Sequence, residues 1–213
     1  MRNLLATLAI TCGIAAGQSK DDGLTVLIIG NNIRPLVLAA MEREVESNLA
    51  PAALKLTWKS KQDRNGDLVV SGPMAVIHLR GQCVADPPVV AAAARSSEGA
   101  QLGVTHISDG RILPIADVLC NAVRDFVSPA LRGSSVHNRD ELFGRALGRV
   151  LAHELYHILL QTSEHGPSGL SRWELRSTDL LLPQVSFTLS EERRIEESAI
   201  DSLSGFVGDG GGR

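Results

Sequence analysis

His153-Glu154-Leu155-Tyr156-His157 sets two imidazoles four residues apart, with a carboxylate beside the first. On an α-helix this spacing puts both rings on one face, about 6 Å apart along the axis. From there both can reach one Zn²⁺ at about 2.0–2.1 Å. Glu154 would lie beside that face, where a carboxylate can take a proton from a zinc-activated water. This is the donor pattern of a zinc hydrolase. A catalytic zinc usually takes a third protein ligand and leaves one position for water. His165 stands eight residues past His157. A continuing helix would carry it about 12 Å along the axis, so the chain has to turn back for His165 to join the site. Thr162, Ser163, Gly166, Pro167 and Gly169 supply the residues of such a loop. Glu164, Glu174 and Asp179 are competing oxygen donors, with Glu174 expected on a later helix.

The element that must hold the pair is a long helix. Leu142, Ala146, Leu147, Val150, Leu151, Leu155, Ile158 and Leu159 recur at helical spacing and should bury one stripe. Asn138 reads as its N-cap, with Glu141 completing a capping box.

The run from His153 through His165 to Leu170 resembles the metzincin clan of zinc peptidases: His-Glu-x-x-His, a helix break, a third His, then a tight turn. Two features depart from the clan pattern. The third His follows the second by eight residues rather than six, and Leu160 stands where a Gly marks the break. Leu170 occupies the turn where the clan has Met. The resemblance covers roughly residues 139–173. It implies a zincin-like fold, a peptide or protein substrate, Zn²⁺ on His153, His157 and His165, and Glu154 as general base.

The composition is that of an ordinary globular domain: 213 residues, 44% hydrophobic, 21% charged, net charge −3. That charge gives no case for nucleic acid or an anionic membrane as partner. Residues 1–17 read as a signal peptide, with Arg2 before the apolar stretch Leu4–Ala16 and cleavage near Gly17-Gln18. The alternative is a buried first helix, and Cys12 has a poor lead-in for a lipid anchor. The chain is therefore expected to be secreted or periplasmic, with no membrane contact after cleavage. Cys83 and Cys120 then remain, and in an oxidising compartment they should pair. A bond closing that loop would stabilise the fold by about 3–4 kcal/mol.

Residues 18–204 read as a single catalytic domain, and 205–213 as a disordered glycine-rich tail. Leu24–Ile29 is a buried strand. A helix follows over Pro35–Leu49, with Val37, Met41, Val45 and Leu49 on its inner stripe. Further strands are expected at Leu54–Trp58 and Ala75–Arg80, with His78 on the polar sheet surface. A charged loop joins them over Lys59–Asp67, and Pro87–Gly99 reads as either loop or helix. Leu102–Ile115 is a hairpin turning at Asp109-Gly110, where Pro114 requires an edge strand or a strand end. Its edge is the place for an extended peptide to add beside the metal, and His106 is placed in the structure rather than the cleft. A short helix over Ala116–Val127, broken by Ser128-Pro129, precedes the zinc helix. Ser171–Leu182 reads as a helix carrying Trp173, core or cleft wall. The last helix opens at Thr188 and shows a charged face over Glu191–Glu197. The order implies an α+β architecture, a twisted mixed sheet packed on helices with the zinc helix as cleft floor. Its expected activity is that of a zinc metalloendopeptidase. Two other functions fit the residues, an exported zinc-binding domain without catalysis and a zinc hydrolase of a non-peptide amide. The sequence carries no sign of oligomeric state.

Overall fold

Among the described residues, five strands form one mixed sheet, with helices along one face. The computed structural model describes residues 23–60, 72–86, 101–183 and 185–205. The expected signal peptide, most of the charged loop, the 87–99 stretch and residues 206–213 of the tail lie outside these. Strand β1 (Gly23–Ile29) leads into α1 (Pro35–Leu49), then β2 (Lys55–Ser60), β3 (Met74–Arg80), β4 (Gly103–Ser108) and β5 (Arg111–Leu119). Helices α2 (Cys120–Leu131), α3 (Val136–Leu160), α4 (Ser177–Leu181) and α5 (Leu189–Gly205) follow. The strand order is β2-β1-β3-β5-β4. All neighbours run parallel except β4, which is antiparallel to β5 and forms one edge. The fold is α+β.

The core lies between the sheet and α1 with α3. Leu24, Val26, Ile28, Ala75, Ile77, Ala116 and Val118 alternate onto the covered face, and all are buried. Helix α1 has the expected bounds. Pro35 fits its first turn, where no N–H partner is needed. Val37, Met41, Val45 and Leu49 are fully buried. Helices α1 and α3 touch backbone to backbone at Gly144 and Gly148, where a Cβ would sit 2.5 Å from Val37 O and 2.6 Å from Met41 O. Arg149 crosses this seam. It is 1% exposed, donates to Glu44 Oε1 of α1 at 2.7 Å, and donates to the Asp179 carbonyl of α4 at 2.5 Å. Replacing it by Met leaves Glu44 and that carbonyl short of a donor. Arg149→Met should therefore cost about 3 kcal/mol of unfolding free energy, read from urea denaturation.

Several boundaries differ from the sequence reading. Ala116–Leu119 belong to β5, not to a helix, because Ile115–Leu119 pair with Val76–Arg80 of β3. Strand β5 is thus interior rather than an edge. Pro114 is tolerated because the β3 pairing begins only at Ile115 and the β4 pairing is irregular beside it. Helix α2 continues through Pro129 to Leu131. The proline has no N–H for the Asp125 carbonyl, and the Ser128 hydroxyl donates to that carbonyl instead at 3.1 Å. The N-cap of α3 is Ser135, whose side chain accepts from Asn138 N–H, so Asn138 lies inside the helix. Helix α3 is buried on nearly all sides from Phe143 to Ile158, not along one stripe.

After α3 the chain makes a 3₁₀ turn at Gly169–Ser171, and the expected helix over 171–182 shrinks to the five residues of α4. Asp179 sets this start by accepting from Arg176 N–H at 2.8 Å and pairing with the Arg172 guanidinium. His78 lies where expected, its Nδ1 3.0 Å from Asp117 on the sheet surface. Cys83 and Cys120 form a disulfide, with Cα atoms 5.0 Å apart. No helix among the described residues is long and apolar enough to cross a membrane.

Candidate metal centre

Helix α3 ends so that His165 can return. Gln161 takes a left-handed conformation (φ 49°, ψ 43°), and both its N–H and that of Thr162 turn back to the His157 carbonyl. The break falls one residue later than the Leu160 position and is made by Gln161 without a glycine. The loop then carries His165 over the helix. Its ring centroid lies 5.1 Å from that of His153 and 4.7 Å from that of His157. One ligand atom from each of the three histidines falls within 4.8 Å of the others, so the group can hold a metal ion. The longer spacing is absorbed by the loop.

The hydrogen bonds fix how the first two rings present themselves. His153 Nδ1 lies 2.8 Å from the Leu170 carbonyl, and His157 Nδ1 lies 2.8 Å from the Thr162 carbonyl. A carbonyl oxygen only accepts, so each Nδ1 must carry a hydrogen. In neutral rings this leaves both Nε2 atoms as bare lone pairs, and they face each other at 3.1 Å. Two acceptors at that distance repel unless a cation lies against both. Metal-ligating histidines commonly donate their second ring N–H to a carbonyl in this way. Leu170, fully buried, thus supplies a carbonyl beneath the site.

The rings are held neutral. Burial, with a smaller contribution from the other two imidazoles, lowers the His153 pKa to about 4. Burial also lowers those of His157 and His165. Protons therefore compete poorly for these nitrogens. Metal affinity should weaken less than about tenfold from pH 7.5 to 6. Three unperturbed imidazoles of pKa about 6.5 would lose about fiftyfold over the same range. A competition titration at the two pH values checks this.

No family model, curated protein or solved structure matches the chain. Its function has to be read from the site itself.

Glu154 is 5% exposed and projects toward β4. Thr105 Oγ1 donates to its Oε2 at 2.7 Å. A Cβ on Gly103 would approach Oε1 to 2.5 Å, so only glycine leaves room for this carboxylate. Burial raises the Glu154 pKa to about 7, against the lowering effect of the Thr105 hydrogen bond. The carboxyl is thereby poised to gain and lose a proton near neutrality.

A cleft of about 1280 Å³ opens over these groups. One wall is β4, and the other is the segment from Arg172 to Ser177. Leu119 N–H donates to Leu102 O at 2.8 Å. Hydrogen-bonded pairs alternate in an antiparallel ladder, so Val104 also faces β5, while Gly103 and Thr105 turn their backbone groups outward. Trp173, 81% exposed, stands on the opposite rim with its ring 4.8 Å from that of His165.

Of the alternative donors, Glu174 lies in the segment between the 3₁₀ turn and α4, not on a helix, and Glu164 is exposed. Asp179 is committed to Arg172 and Arg176. Tyr156 is buried against Phe187, with centroids 5.6 Å apart, and does not line the cleft. His106 lies off the cleft, 3.4 Å from Asp117. Sequence reasoning missed Thr105 and Gly103. Their role depends on the strand register, which places residues 103 and 105 on the face toward α3. It also missed Glu191, which is buried instead of part of a solvated face.

Proposed function

We propose that the chain is an exported zinc-dependent metallopeptidase with a zincin-like fold. The observation that carries this is the pair of Nε2 lone pairs 3.1 Å apart, with both Nδ1 hydrogens committed to carbonyls. Three neutral imidazoles suit Zn²⁺, and tetrahedral bonds of 2.0–2.1 Å would set ligand nitrogens about 3.3 Å apart. His153, His157 and His165 would hold the ion. Bound there, Zn²⁺ would polarise the scissile carbonyl and acidify a water molecule.

The remaining steps fall to this chain's own residues. Glu154, steadied at Oε2 by Thr105, accepts a proton as water adds to the carbonyl carbon. It then returns that proton to the amine nitrogen as the C–N bond breaks, giving a carboxylic acid and an amine, which ionise to carboxylate and ammonium at neutral pH. The outward backbone groups of Gly103 and Thr105 offer an extended chain a strand to pair with. This favours a peptide over another amide as substrate. The carboxylate beside an open cleft favours catalysis over a purely structural ion, whose four positions would be closed by protein. The Cys83–Cys120 bond supports an oxidising destination.

The test is metal analysis of the mature wild-type chain and of His165→Ala, with a peptide-library digest. Stoichiometric zinc in the wild type, less in the variant, and zinc-dependent cleavage are expected. A wild-type chain that takes up no transition metal would end the proposal.

A further inference from the structure

We propose that Glu191 on the last helix is a positioning residue for the third imidazole. This rests on the metal reading of the site. Glu191 is 5% exposed, in the first turn of α5. Its Oε2 accepts from Thr188 N–H at 2.8 Å and from Thr188 Oγ1 at 2.8 Å. Those two bonds would satisfy an ordinary helix start. Its Oε1 does something else: it accepts from the hydroxyl of Ser171, a fully buried residue twenty positions earlier.

Ser171 joins two parts of the site. Its carbonyl accepts from Gly166 N–H at 3.0 Å, the residue directly after His165. Its neighbour Leu170 supplies the carbonyl that orients His153. Gly166 lies so close to Ser171 Oγ and Glu191 Oε1 that a Cβ would collide with both. The loop bearing His165 therefore rests on a buried hydroxyl–carboxylate pair, and α5 supplies the carboxylate. No hydrogen bond is seen at the His165 ring among the described residues; the rings of His153, His157 and Trp173 pack against it, and the loop backbone sets where it stands over α3. Loss of Glu191 leaves the Ser171 hydroxyl only its 3.3 Å bond to the Ser168 carbonyl and lets the 165–166 backbone drift, while His153 and His157 keep their places on α3.

The experiment is a double-mutant cycle on full-length chains, reading Zn²⁺ affinity by chelator competition in wild type, Glu191→Ala, His165→Ala and the double variant. Glu191→Ala should weaken binding about 10–100-fold, the range for groups that support a metal ligand. In the His165→Ala background the same change should cost less than about threefold, because the ligand it positions is gone. An equal loss in both backgrounds overturns the proposal, since Glu191 then supports only the fold. If Glu191→Ala does not fold, Ser171→Ala runs the same cycle with a smaller loss and the same collapse. A wild-type chain without zinc affinity overturns the metal reading first, and this inference with it.

Discussion

Glu154→Gln is expected to lower peptide hydrolysis by about a thousandfold while leaving bound zinc unchanged. Glutamine is nearly isosteric, so the space beside Gly103 and the hydrogen bond from Thr105 can both persist. What disappears is the proton acceptor. The three imidazoles are untouched, and the Nδ1 hydrogens of His153 and His157 still point at backbone carbonyls rather than at residue 154. Metal content and activity should therefore separate in this variant. Initial rates on a cleaved peptide, alongside elemental analysis of the same sample, decide the matter. Full turnover in metal-replete buffer would remove Glu154 from the role of base.

His153→Ala should have the opposite signature, with zinc and activity lost together. His153 is buried, its Nδ1 is pinned by Leu170, and its Nε2 lies 3.1 Å from that of His157. No other donor is poised to replace it, because the histidine trio is the one such cluster among the described residues. Affinity should fall on the order of a thousandfold or more. A thermal readout follows by mass action. At free zinc a thousandfold above Kd, a bound ion would stabilise the native wild type by about 4 kcal/mol. A chelator should lower the wild-type Tm by about 8–16 °C, the shift that such a loss produces in a domain of this size, and leave the Tm of His153→Ala unmoved. A variant that still gains stability from zinc would show that the ion binds elsewhere.

Much of this site was legible because its signals are local. The four-residue spacing of His153 and His157, the apolar run around them and the loop formers after Thr162 each act over one or two turns. Helix α1 was legible for the same reason, with Pro35 at its start and four apolar residues on one stripe. The residues that failed to announce themselves depend on pairing across the chain. Ala116–Leu119 could extend α2 as far as propensity goes, and only the partner strand β3 makes them a strand. Thr105 is an ordinary strand residue until the register turns it toward α3. Glu191 sits among charged neighbours that face solvent, and only the docking of α5 onto Ser171 buries it. The third histidine was legible as a candidate, but the left-handed Gln161 that brings it back was not, since that conformation is usually left to glycine.

The carboxylate under the His165 loop comes from α5, which is synthesised after the helix that carries the first two imidazoles. Growing chains that stop short of residue 191 already hold both helix imidazoles but lack the brace for the third. Synthesis order would then set when the third ligand can lock into place. On the metal reading, the third imidazole would settle only once α5 has been made and has docked onto Ser171, so the centre would be completed later than the helix that carries its first two ligands.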